Sequence, residues 1–223
     1  LLLRNIKKNI PTASIAIVDD SKNNIMKQIL KQNKFEKSIK YFHRINCKGR
    51  GSAVLYGFRQ LLKKKKNQIF IEMDADFSHK PSELKKNIKL FQKKKIDLLI
   101  ASRYLPKSRI INWPLSRKIF SKLSNILAKT LLNIDVKDYT NGFRIYSKKA
   151  TRLITNKCGK IGDGFIVLSE ILLVLNINKF KIHEVSTVFV NRKRGESSVN
   201  LRLVLQSFFG LIRLFLIKKN YKN

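Results

Sequence analysis

Short apolar runs alternate along the chain with amphipathic stretches, and polar turns close each run. Residues 1–10 read as part of an amphipathic helix. Ile15 to Val18 reads as a strand closed by Asp19-Asp20-Ser21, with Ser21 placed to cap a helix over about 22–33. Ile39 to Ile45 predicts a second strand, and the glycine turn Lys48-Gly49-Arg50-Gly51-Ser52 leads into a helix near 53–65. Ile69 to Met73 predicts a third strand, and Pro81 fits the first turn of a helix running to about Lys94. Asp97 to Ala101 is a fourth, ending at Ser102-Arg103-Tyr104.

Beyond a basic loop at 105–113, a helix over 115–132 carries Ile119, Leu123, Ile126, Leu127 and Leu131 on one face. A turn at 140–144 enters a strand over 143–147, and Gly162-Asp163-Gly164 opens an apolar helix to about 175. Lys181 to Val190 alternates as a strand does, and Arg192 to Ser197 is a basic loop. This alternation predicts an α/β fold with a mostly parallel sheet flanked by helices. Ligands of such sheets bind beyond the carboxyl ends of strands. Asp19, Asp20, Asp74, Asp76 and Arg103 all fall there.

Val199 to Ile217 is mostly apolar, but Asn200, Arg202, Gln206, Ser207 and Arg213 interrupt it too often for a lone membrane span. It reads equally as an interfacial helix, followed by Lys218, Lys219 and Lys222, or as a core helix packed on the sheet.

Charge sharpens the picture. The 223 residues, one domain in length, hold 48 Lys and Arg against 14 Asp and Glu, a formal charge of +34. Such a balance favours anionic partners, although a chain this rich in Lys, Ile and Asn also carries charge on solvated faces. With acids so scarce, the pairs Asp19-Asp20 and Asp74-Asp76 stand out. Cys47 and Cys158 lack metal-type spacing and read as reduced thiols. No signal peptide is evident, and a start at Leu1 rather than Met suggests an incomplete or processed N-terminus.

Asp74 and Asp76, one residue apart at a strand end with Ser78 and His79 just beyond, can converge on one hard cation. Oxygen ligands suit Mg²⁺ or Mn²⁺, and Mg²⁺ keeps waters and substrate phosphates as its other ligands. The pattern points to an enzyme handling a nucleotide diphosphate. A solvated acidic turn that caps the next helix is the alternative reading.

Taken in order, the segments resemble a family. Val18-Asp19-Asp20-Ser21, Lys48-Gly49-Arg50-Gly51-Ser52-Ala53, Met73 to His79, Ser102-Arg103-Tyr104 with Trp113-Pro114-Leu115-Ser116-Arg117, Asp138 to Tyr146, and Phe189 to Ser197 follow one another in this way. The sequence is similar to dolichol-phosphate mannose synthases and related polyprenyl-phosphate glycosyltransferases, family 2 enzymes of GT-A fold. The likeness runs from Ile15 to about Arg213. It departs where the family begins with a strand ending in Pro-x-Tyr-Asn-Glu; a chain without that strand would lack a central strand of its sheet. Ser198 also stands where the family carries Lys, a contact that Lys193 or Arg194 is placed to replace.

The resemblance implies an inverting, metal-dependent transfer of a hexose, most closely mannose from GDP-mannose, to a polyprenyl phosphate. Asp74, Asp76 and, more weakly, Ser78 would hold the metal. Asp19, Asp20 and Lys48, with Asp74 and Asp76, would bind the nucleotide sugar. Arg103, Arg117 and Arg192 would bind the acceptor phosphate, and Asp138 would contact the sugar or orient the arginines. Asp76, Asp138, Arg117 and Arg192 form the implied catalytic set. Residues 1–198 would be an N-terminally incomplete catalytic domain, and 199–223 an amphipathic membrane-associating helix with a basic tail. Work at the cytoplasmic face of a membrane follows, with room for a separate membrane subunit. Two other readings stay open: a family 2 relative using UDP-glucose or a glycan acceptor, and a non-catalytic basic protein binding nucleic acid. The latter explains the charge but not the paired acids, so no nucleic-acid partner is expected.

Overall fold

The computed structural model describes residues 1–35, 38–47, 49–64, 66–191 and 201–221, with 201–205 described by the course of the backbone alone. Lys48, Arg192 and the loop that continues to Ser198 lie outside the described residues.

The elements follow the alternation. They run α1 (Leu2–Asn9), β1 (Ile15–Asp19), α2 (Ile25–Gln32), β2 (Ile39–His43), α3 (Arg50–Leu62), β3 (Ile69–Glu72), α4 (Glu83–Lys93) and β4 (Leu98–Ser102). Then come β5 (Arg109–Ile111), α5 (Leu115–Leu132), β6 (Arg144–Ser147), α6 (Lys148–Lys157), α7 (Ile166–Ile177), β7 (Ile182–Ser186), β8 (Val188–Val190) and α8 (Leu201–Leu216). A 3₁₀ turn, Lys218–Tyr221, follows α8.

The main sheet has the order β3-β6-β4-β7. Strand β4 is its centre, with Leu98 to Ala101 fully buried. β4 and β7 pair in parallel, and β6 lies between β3 and β4, antiparallel to both. Two strands each antiparallel to a third run the same way, so β3 and β4 end at one edge. The chain re-enters the sheet from that edge after α5, which forces β6 to run back against its neighbours. Three of the sheet's four strands, β3, β4 and β7, therefore run the same way, as a mostly parallel sheet was expected to, and β6 is the reversed one. β1–β2 and β5–β8 form separate parallel pairs. No ladder joins β1 to β3 among the described residues.

Several boundaries differ from expectation for local reasons. Ser21 does not cap α2; its N–H donates to Asp19 Oδ1, and Asn23 Oδ1 accepts from Ile25 N at the helix start. The expected strand over 181–190 breaks at Thr187. There the Glu83 carboxylate accepts from Thr187 Oγ1 and Val188 N and turns the chain onto β5, a short strand inside the expected basic loop. Helix α6 was not foreseen; Ser147 caps it by accepting from Ala150 N, and Ala150 and Ile154 bury one face.

Helix α7 is buried from Ile166 to Leu175, which explains why it is apolar on every side. Helix α3 approaches the first turn of α7 closely: a Cβ on Gly51 would lie 2.4 Å from Val167. Helix α8 packs one face on the core and leaves another exposed. Leu211 and Leu214 join the main core, whereas Phe208, Phe209, Phe215 and Leu216 face outward. Helix α5 packs beside α8 and buries Asn125, Ala128 and Leu132. Its stripe of Leu115, Ile119, Leu123 and Ile126 is exposed, each more than half so. Among the described residues no helix is long and apolar enough to cross a membrane.

Candidate active site

The common edge of β3 and β4 gathers most of the singled-out residues. Beyond β3 the chain turns through Asp74 and Asp76, and Asp76 Oδ1 accepts from Ser78 N at 3.0 Å. Phe77, at the tip, has φ +64, a left-handed conformation that costs a bulky residue roughly 1–2 kcal/mol. Ser78 is buried, and its carbonyl accepts from Val190 N at the end of β8.

His79 locks the turn from below. Its Nδ1 accepts the Asp74 backbone N–H at 3.1 Å, so Nε2 carries the proton toward Asn141 Oδ1, 2.9 Å away. Burial lowers its pKa and favours this neutral form. Phe143 and Phe189 pack against the ring.

Asp74 is not a lone carboxylate. Its Oδ1 accepts from Arg50 Nε at 2.8 Å. Burial alone raises its pKa, but the charge and hydrogen bond of Arg50, together with the neighbouring His79 and Arg103, outweigh that and lower it, so it stays ionised. Arg50 starts α3, and its Nη2 donates to the Gly142 carbonyl at 3.2 Å. Sequence reasoning gave Arg50 no role, because an arginine in so basic a chain reads as solvated; its flanking glycines were the available signal.

Beyond β4, Arg103 is buried among the rings of Tyr104, Trp113 and Phe189, each centroid within 5.5 Å of its guanidinium carbon. Its Nε and Nη2 donate to Asp138, and Nη2 also to Thr140. Asp138 is fully buried, and the backbone N–H groups of Arg103, Thr140 and Asn141 complete its shell. Of the two roles expected for Asp138, contact with the sugar or orientation of the arginines, this saturated shell fits the second, with Arg103 as the residue held. Arg144 is likewise structural, donating to the carbonyls of Tyr139, Asn141 and Leu168.

Arg117, half-buried on the first turn of α5, stacks 4.3 Å over Trp113 and donates to Asn191 Oδ1 at 3.0 Å. Asn191 immediately follows Val190, which bonds Ser78. The acidic turn and the Arg117 guanidinium are thus tied to adjacent residues of one strand end.

At the end of β1, Asp19 accepts from Ser21 N and from Tyr41 Oη. Partial burial and this bond push the Tyr41 phenol up to about 12. Asp20 takes both Nε and Nη2 of the buried Arg44, at 2.7 and 2.6 Å. Arg44 also donates to Ser52 Oγ at the start of α3. The second acidic pair is thereby braced to the helix that carries Arg50.

The donor set suits a hard divalent cation. Asp74 and Asp76 offer oxygens only, and one or two carboxylates with substrate phosphates are what Mg²⁺ takes. Among the described residues no cluster of three or more acids, histidines or cysteines forms an all-protein cage. The expected contacts of Lys48 and Arg192 fall outside the described residues.

Residues 2–154 match Glycosyl transferase family 2. The chain is 29% identical over 215 residues to undecaprenyl-phosphate mannosyltransferase of Micrococcus luteus, covering 96% of this chain and 86% of that protein. It is 30% identical over 171 residues to polyprenol monophosphomannose synthase of Mycolicibacterium smegmatis, covering 77% and 63%. Among solved structures it is similar to glucosyl-3-phosphoglycerate synthase from Mycobacterium tuberculosis in complex with phosphoglyceric acid. The TM-score is 0.64 at 13% identity, over 97% of this chain and 73% of that one. The same synthase with Mn²⁺, uridine diphosphate and glucosyl-3-phosphoglycerate gives 0.61 at 14% identity, over 98% and 75%. At such identity the likeness is one of fold, GT-A.

Proposed function

The chain belongs to glycosyl transferase family 2 and is a glycosyltransferase; we propose that it transfers mannose from GDP-mannose to a polyprenyl phosphate at the cytoplasmic surface of a membrane. The observation that carries this reading is the short link between the acidic turn and Arg117, through Ser78, Val190 and Asn191. On this reading the link joins a site for a nucleotide diphosphate to a site for a second phosphate. The names of the two mannosyltransferase relatives support the acceptor class.

In this mechanism Asp19 and Asp20, with Lys48, hold the base and ribose. Asp74 and Asp76, with Ser78 nearby, hold Mg²⁺ or Mn²⁺. When bound, such a cation stabilises negative charge on the departing diphosphate. Arg117 and Arg192 grip the acceptor phosphate, and Arg103 adds a buried charge fixed by Asp138. A phosphate monoester is largely dianionic near neutral pH, so no strong base is needed. One phosphate oxygen forms the new bond to the anomeric carbon as the bond to the nucleoside diphosphate breaks, and the configuration inverts. The arginines orient that oxygen.

Residues 1–198 form the catalytic unit in this reading, and 199–223 associate with the membrane, with α8 packed on that unit through Leu211 and Leu214. Support comes from the apolar residues that the neighbouring helices α5 and α8 expose, with Lys118 and Lys122 on α5, Lys219 just after α8, and Lys218 over the Phe215 ring. Apolar burial and attraction to anionic lipid act together on such a face, roughly 1 kcal/mol per basic residue near the surface. A separate membrane subunit fits the same face.

Donor competition tests the sugar. GDP-mannose labels a polyprenyl phosphate on this account, and UDP-glucose does not compete. Efficient transfer from UDP-glucose instead places the chain with the other donor class.

A further inference from the structure

We propose that Arg50 is a positioning residue of the acidic pair, holding Asp74 by one oxygen so that a divalent cation binds well only together with a nucleotide diphosphate. The inference rests on the reading of Asp74 and Asp76 as cation ligands.

The place of Arg50 is built rather than incidental. The helix start is anchored where Gly51 N and Ser52 N both donate to the Asp163 carbonyl. The guanidinium then passes over Gly142, where a Cβ would lie 1.6 Å from Nη2. Only a glycine admits it. At the end of this path it meets Asp74 Oδ1 at 2.8 Å and the Gly142 carbonyl at 3.2 Å.

Its remaining donor is poorly used. Nη1 lies 3.6 Å from Glu72 Oε2, and neither atom has a hydrogen-bond partner. Glu72 is instead held through Oε1, which accepts from Tyr146 Oη at 2.8 Å. A guanidinium placed to stabilise the core would close this gap, since leaving buried polar atoms unpaired is costly. Its close contact is with Asp74, at the mouth of the site.

The consequence is electrostatic. With Oδ1 already accepting from Arg50, Asp74 has less lone-pair capacity and less negative charge to offer a cation through that oxygen. Its Oδ2 lies 3.8 Å from the neutral His79, beyond hydrogen-bond length, and is the oxygen left for a ligand. Arg50 also cancels one of the negative charges the cation meets. Two carboxylates, with Asp74 already sharing its charge with Arg50, make a weak site on their own. A diphosphate brings further oxygens and charge and completes it.

The test is Mn²⁺ binding, followed by loss of the free-ion paramagnetic resonance signal, without nucleotide and with GDP or UDP. It compares the full chain with Arg50→Gln and with Arg50→Gln/Glu72→Gln; the latter removes the buried acid that the first leaves without its cation. Thermal melts verify folding. The wild-type protein binds Mn²⁺ at least about tenfold more tightly with a nucleotide diphosphate. The Arg50 variants tighten binding of Mn²⁺ alone by about tenfold, the scale of one charge-assisted bond, and so narrow that ratio. A merely structural arginine does not move the ratio. Unchanged variants alongside intact nucleotide enhancement overturn the inference and leave the cation reading standing. Wild-type protein that binds Mn²⁺ equally with and without nucleotide overturns it whatever the variants do. No Mn²⁺ binding under any condition overturns both.

Discussion

Asp138 and Arg103 form a buried pair in which the arginine supplies three bonds: N and Nε to Oδ2 at 2.9 and 2.8 Å, and Nη2 to Oδ1 at 2.7 Å. The pair spans the edge between the end of β4 and the turn into β6. Removing one partner of such a pair leaves an uncompensated buried charge. Asp138→Ala is expected to lose about 3–5 kcal/mol of stability, read by urea unfolding. A loss within a few tenths of a kcal/mol contradicts the positioning role.

The same pair sets a pH dependence. Burial raises the Asp138 pKa, but Arg103 overrides it, so the folded value lies below the ordinary 3.8. A depressed acid stabilises the fold above its unfolded pKa and loses that contribution as pH falls through the folded one. The stability gap between wild type and Asp138→Asn is therefore constant from neutral pH to about pH 5 and narrows only below 3.8. A gap that grows on acidification contradicts this sign.

Arg117 presents its guanidinium beside the acidic turn, stacked on Trp113. Arg117→Ala is expected to raise KM for the polyprenyl phosphate by about tenfold or more while leaving GDP binding within twofold. Arg117→Lys recovers little, because an ammonium neither stacks nor forks. Equal loss of donor and acceptor affinity contradicts the division of the site.

What the sequence disclosed follows from what is local. The ends of β1 and β3 were legible because an apolar run closed by acids is a local pattern, and the end of β4 because its apolar run closes on Ser102-Arg103-Tyr104. Strand β6 was legible as a strand but not as antiparallel, since its direction depends on where α5 returns the chain. The stripe on α5 was legible as a face, but periodicity does not say whether protein or solvent meets it; the structure exposes Ile119 and Leu123. Arg44 and Arg50 escaped notice because 48 basic residues disguise the few that are buried. The roles of His79 and Asn141 rest on a bond spanning 62 residues, which no local pattern records.

Membrane association gives a separate prediction. Leu123 and Phe209 are 59% and 64% exposed on neighbouring helices. Each side chain is worth about 1.5–3 kcal/mol when fully buried. Leu123→Asp and Phe209→Asp are each expected to weaken binding to anionic vesicles by about tenfold or more without changing stability by more than about 0.5 kcal/mol. Unchanged vesicle sedimentation contradicts the proposed face.

The most direct measurement of the central claim is transfer of radiolabel from GDP-mannose to a polyprenyl phosphate, with Mg²⁺ or Mn²⁺, by the wild-type chain and by Asp76→Ala. The account predicts a glycolipid product that disappears with a chelator and falls by about a hundredfold or more in the variant, the scale on which loss of charge stabilisation is felt. Product formed equally by Asp76→Ala, or undiminished without divalent cation, contradicts it.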